Sequence, residues 1–138
     1  MASELRVNTL KDASGNNSIA TSFVANGSAK AWVNFNGTGT IAARDSLNNA
    51  SLTDNGTGDY SVGYTNSFAN DDYCGGGSAS LADNSVDANA GIVAPSRHSP
   101  NVAFTTSSSR IITVVQTSTS SQFFDEAIVC WDIKGDLA

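Results

Sequence analysis

In Asp59–Tyr64 the apolar residues Tyr60, Val62 and Tyr64 alternate with Asp59, Ser61 and Gly63. A period of two places one set on one face of a β-strand. In Ala31–Phe35 the alternation is partial, because Trp32 and Val33 are adjacent and Phe35 follows. Asn26-Gly27, Asn36-Gly37 and Asn55-Gly56 are hairpin signals, since both residue types accept the positive φ of a tight turn. Leu47, Ala50 and Leu52 precede the last of these, so Leu47–Thr53 is expected to pair antiparallel with Asp59–Tyr64. Val102 and Phe104 mark a further strand. Ile111–Val115 is β-branched nearly throughout, as in a strand buried on both faces. Phe123–Ile133 reads as the last strand. No helical period is visible anywhere.

These elements predict an all-β fold: an antiparallel β-sandwich-like domain over residues 30–138, with a short N-terminal arm over 1–29. The core is expected to be anchored by Trp32, Phe35, Tyr60, Val62, Ile112, Val114, Val129 and Trp131, enough for a domain of roughly a hundred residues. The arm carries few large apolar groups: Leu5, Val7, Leu10, Ile19, Phe23 and Val24. It has no core of its own, so it is expected to pack on copies of itself or a partner, or to add a strand to the main domain. Gly75-Gly76-Gly77 marks a bulge, a close backbone approach or a flexible tip. The stretches Asn66–Asp72, Gly75–Asn89 and Ala94–Asn101 read as loops, and loops on a rigid scaffold commonly carry recognition.

With 138 residues the chain is expected to be one domain with an arm. Only 14% of residues are charged, so Ser, Thr, Asn and Gly must keep the surface wet. That composition fits an extracellular or virion surface better than a cytosolic helical enzyme. The net charge is −6 and the basic residues are scattered, so neither nucleic acid nor an anionic membrane surface is an expected partner. The apolar runs are too short to span a bilayer, so no membrane insertion is expected. No secretory leader is visible at the N-terminus. The two cysteines, Cys74 and Cys130, allow one disulfide but define no disulfide scaffold.

Catalytic constellations are sparse, and no enzyme activity, metal or cofactor is expected. His98 is the single histidine, no Gly-x-Ser-x-Gly elbow occurs, and Cys74, His98 and Cys130 lack zinc-ligand spacing. Asp71-Asp72 and Asp125-Glu126 are carboxylate pairs, but adjacent strand residues face opposite ways, which does not make a glycosidase couple. Asp54–Asp59 is better explained by its turn than as a Ca²⁺ loop. Tyr64, Phe68 and Tyr73 lie nearest to loops, where aromatic faces stack on sugar rings, although core packing is the ordinary role of such residues. Together with Asp71, Asp72, Arg97 and His98 they form the candidate receptor-binding set.

The segment AKAWVNFNGTGTIAARDSLNNASLTDNGTGDYSVGYTNSFANDDY resembles the C-terminal module of bacteriophage tail-fibre proteins. The ending AIVCWDIKGD resembles that module's last strand, and the opening ELRVNTLKDASGNNSI resembles the start of many phage fibre proteins. The resemblance implies a structural virion protein, usually a homotrimer, that contacts other virion proteins and a host cell-surface glycan or protein. It implies that the arm, through Leu5, Val7 and Leu10, serves attachment or trimer contacts. The long shaft of a typical fibre is missing, so a tail fibre, a tail tip, a head fibre or a capsid decoration protein all fit. A glycan-cleaving depolymerase and a free-standing lectin-like module are the alternatives of another class.

Overall fold

The computed structural model describes residues 3–80, 91–96, 104–116 and 120–138. In the arm, β1 (Thr9–Leu10) and β2 (Ile19–Ala20) form a two-stranded antiparallel ribbon. A seven-residue helix, α1 (Thr21–Gly27), follows. Neither the helix nor the first two strands join the main sheet. The helix corrects the expectation of a hairpin at Asn26-Gly27. It carries no side-chain cap and buries no residue, so neither a cap nor an amphipathic stripe announces it in the sequence.

The main sheet uses β3 (Ala31–Asn36), β4 (Ala42–Leu47), β5 (Asn49–Gly56), β6 (Asp59–Tyr64) and β7 (Cys74–Ser80). It continues with β8 (Gly91–Pro95), β9 (Phe104–Thr105), β10 (Ser108–Gln116), β11 (Ser121–Phe123) and β12 (Ile128–Lys134). Every pairing is antiparallel, in the order β4-β3-β12-β7-β8-β10-β6-β5, with β9 and β11 also on β10. The two outermost strands, β4 and β5, are joined by a single residue, Asn48. The ends of the sheet therefore meet, and the sheet curls into a nearly closed, barrel-like sandwich. Asn48 turns this corner at φ 57°, a conformation Asn tolerates better than most residues. Its side chain bridges Asn66: Oδ1 accepts from the Asn66 N–H at 2.7 Å, and Nδ2 donates to the Asn66 carbonyl at 3.0 Å.

The hairpin of β5 and β6 forms with Leu52 opposite Val62, but Leu47, expected in the same strand, ends β4 opposite Trp32. Its two-residue turn is Thr57-Gly58 rather than Asn55-Gly56. Gly58 takes φ 62°, and its N–H and carbonyl bond the Asp125 carboxylate and the Thr113 N–H. Asp54 caps the turn by accepting from the Gly56 N–H at 2.9 Å, while Asp59 accepts from Arg110 on the neighbouring strand at 2.8 and 2.6 Å. Gly75–Ser80 is a strand, not the expected loop.

Phe35, Tyr60, Val62, Val129 and Trp131 occupy the core as expected, joined by Val33, Ile111 and Ile133. Trp32, Ile112 and Val114 do not: all three are half-buried on the outer face. Pairing sets that parity, because Val33 opposes Trp131 and Ile111 opposes Tyr60 across their ladders. The run Ile111–Val115 thus alternates, with Ile111, Thr113 and Val115 inward. Val114 lies in an outer row between Ile92 and Phe123, which are 52% and 49% exposed.

Tyr60 ties three segments together. Its ring meets Phe35 edge-on at 5.1 Å, and its hydroxyl lies 2.9 Å from both the Gly37 carbonyl and Asp125 Oδ1. Burial first, then the Asp125 carboxylate, holds the phenol neutral far above its usual range. Tyr60→Phe is expected to lower stability by about 1 kcal/mol, the net worth of one hydrogen bond. Urea unfolding should show a lower midpoint at unchanged slope. An unchanged midpoint would mean the hydroxyl contributes nothing.

Candidate functional site

The sequence-derived receptor residues fall in three different settings. Tyr64, Phe68 and Tyr73 are 7%, 1% and 7% exposed, so they present no ring face to an external sugar. They plug one rim of the barrel, with ring centroids 5.1 Å apart for Tyr64–Phe68 and 4.6 Å for Phe68–Tyr73. Tyr64 donates to Ser109 Oγ at 2.6 Å, and burial raises the pKa of both tyrosines. The stacking role is therefore corrected to core packing. Asp71 and Asp72 are exposed in the bend between Phe68 and Tyr73. Arg97 and His98 lie outside the described residues, as do most of the loops expected around them. Leu5, Val7 and Leu10 are 80%, 39% and 42% exposed on the arm.

Strand direction gives the barrel two distinct rims. β3 begins and β12 ends at one rim, where Ile133 opposes Ala31. The Asn48 corner and the β6–β7 connection with Asp71 and Asp72 lie at that same rim. The turns Gly37–Ile41 and Thr57–Gly58 lie at the other. The arm thus leaves from the rim that carries the two aspartates.

A concave site lies instead on the side wall. On the outer face of β3, β12 and β7, Trp32, Asp132 and Gly76 form one row, and Asn34, Cys130 and Ser78 form the next. Trp32, Asn34, Ser78, Cys130 and Asp132 line an open trough of about 530 Å³. Trp32 is there because Val33 is inside: two adjacent bulky residues on one strand must face opposite ways. The glycines of β7 make it shallow on one side. A Cβ at Gly75 or Gly77 would run into Trp131 from within, at 2.2 and 3.0 Å. A Cβ at Gly76 would meet only Asp132 Oδ1, at 3.5 Å. The core therefore demands the first and third glycines. The middle one leaves Asp132 uncovered on the outside.

The polar groups of the trough are held in place. Asn34 Nδ2 donates to Cys130 Sγ at 3.2 Å, and Asn34 Oδ1 accepts from Arg44 at 3.1 Å. Arg44 also donates to the Ala127 carbonyl. Asp132 Oδ2 accepts from Lys134, and that hydrogen bond raises the lysine pKa. One amide hydrogen of Asn34 and the second carboxylate oxygen of Asp132 are left to meet a ligand. Cys74 lies four residue steps along β7 from the Cys130–Ser78 row, about 13 Å at strand rise, too far for a disulfide. Both thiols are free.

Asp125 Oδ1 accepts from the Gly58 N–H at 2.6 Å, while Glu126 is fully buried. Among the described residues no group of three His, Cys, Asp or Glu side chains is placed to hold a metal. No described helix is long and apolar enough to cross a membrane. No family model, curated protein or solved structure matches the chain.

Proposed function

We propose that this chain is a structural protein of a bacteriophage virion: a tail-fibre domain that assembles as a homotrimer and contacts the host surface. The observation that carries the reading is the arm. Leu5, Phe23 and the other large apolar side chains of residues 3–29 are exposed, up to 80%, in the segment that resembles the attachment end of phage fibres. Apolar surface of that extent in a segment with no core of its own calls for a partner, either further copies or another virion protein. The arm leaves one rim, which keeps the far rim and the side wall free for the host. Three weak sites on one rigid trimer would then act together through effective concentration.

Light scattering on the intact chain is expected to return the mass of three chains, and a stable monomer would remove the homotrimer. Labelled antibody against residues 30–138 is expected to mark the tail of purified virions. Label on the capsid would favour a head fibre or decoration protein. Release of reducing ends from host polysaccharide would favour a depolymerase. A chain starting after Ala29 that still joined the virion normally would remove the attachment role of the arm.

A further inference from the structure

We infer that the trough beside Trp32 is a saccharide subsite that takes a single uncharged pyranose ring of a surface glycan. As a statement about biological role, this rests on the host-contact reading above. As a statement about binding, it stands on the geometry alone.

A sugar ring is amphipathic, with C–H groups on its faces and hydroxyls around its edge. A site for it needs an aromatic face for the first and fixed donors and acceptors for the second. The trough has this combination in one place. Of the two tryptophans that line it, Trp131 is turned into the core at 2% exposure, and Trp32 is held half-exposed on the outer face by the opposite burial of Val33. Asn34 offers a donor, Asp132 an acceptor and Ser78 a hydroxyl that does both. Asn34 is braced from two sides, by Arg44 and Cys130, so its orientation costs little to fix on binding. The gap at Gly76 exposes Asp132 Oδ1 to a hydroxyl lying flat on the sheet.

Charge narrows the class. The one carboxylate of the trough is already paired with Lys134, and the Arg44 guanidinium is engaged with Asn34 and Ala127. No unpaired charge is left among the lining residues to favour a sialic acid, a uronic acid or a phosphorylated sugar. A neutral hexose or N-acetylhexosamine fits.

The probes are glucose, galactose and N-acetylglucosamine, with glucuronic acid and glucose 6-phosphate as charged comparators, titrated into the isotope-labelled intact chain. Amide and indole NMR shifts are expected to move at Trp32, Asn34 and Ser78 with at least one neutral sugar, at millimolar Kd. Trp32→Ala should weaken binding at least tenfold. Ser78→Phe fills the trough from its exposed side without touching the core, and should abolish the shifts while the melting temperature stays within a few degrees. No shift with any neutral sugar, shifts confined to other residues, or binding that survives Ser78→Phe would each overturn the inference. Tighter binding of the charged comparators would overturn the uncharged class. The two readings fail separately. Sugar binding by a monomer absent from virions sinks the fibre and keeps the subsite, whereas a virion trimer without these shifts does the reverse.

Discussion

Gly77→Ala is expected to destabilise the domain by about 3 kcal/mol or more, at or beyond the upper end for overpacking a core. Gly76→Ala, one residue away, should leave stability within about 0.5 kcal/mol of the parent, as for a surface change. A Cβ at Gly77 would sit 2.4 Å from the Cys130 carbonyl oxygen and 3.1 Å from Val93 Cβ. The oxygen belongs to the backbone of the neighbouring strand, so relief requires β7 to move away from β12. That movement breaks a ladder running from Cys74–Lys134 to Ser80–Ile128. The other flank offers no room either, since Trp131 is 2% exposed and its indole N–H is tied to Ser109 Oγ at 3.0 Å. Gly76 has none of these neighbours. Urea unfolding of the two variants side by side decides the matter. Equal stabilities would show that the triplet is not divided between core and surface as its contacts imply.

Glu126→Leu is expected to raise stability at pH 7.5 by about 2 kcal/mol, within the usual cost of an unsatisfied buried polar group. Glu126 is 0% exposed, and neither carboxylate oxygen has a hydrogen-bond partner. Burial raises its pKa above the ordinary value. In the unfolded chain a glutamate titrates near about 4.3. Below that pH the side chain is protonated in both states and the ionisation penalty is absent. As pH rises through the higher folded-state pKa, the native state must hold a desolvated carboxylate, and stability falls. The gain from Glu126→Leu should therefore be larger at pH 7.5 than at pH 4. The advantage of Glu126→Gln, which keeps the shape without the titration, should likewise shrink on acidification. Chemical denaturation at the two pH values measures both, and a gain independent of pH would remove the ionisation account.

The strand class was legible because Tyr60, Val62 and Tyr64 declare their own parity. The turn between β5 and β6 was legible only to within two residues, since Asn55-Gly56 and Thr57-Gly58 both suit a tight turn. Thr113 and Asp125, remote in sequence, select the second by bonding Gly58. The inward side of Ile111–Val115 was not legible, because an unbroken apolar run carries no parity of its own. The pairing of Ile111 with Tyr60 supplies it. The aromatics near loops misled for a related reason. Phe68 and Tyr73 flank a polar bend whose ends turn back into the barrel, where Phe104 stacks on Tyr73 at 4.7 Å. The trough had one readable sign, the Trp32-Val33 pair, which puts a bulky residue on each face of any strand. Its other wall depends on Gly76 opposing Asp132 across 56 positions of sequence, and only the register shows that.

The side-by-side placement of the start of β3 and the end of β12 has a mechanical consequence. Hydrogen bonds of an antiparallel pair run perpendicular to the strands. Tension applied between residues 30 and 134 would open the β3–β12 ladder from Ile133–Ala31 one rung after another, like a zipper. Tension between residue 30 and the turn at Thr57–Gly58 would instead load the rungs along the strand axis, many at a time. The domain should therefore yield at low force when pulled by its two adjacent ends and resist when dragged by its far rim, a contrast that single-molecule force spectroscopy reads directly.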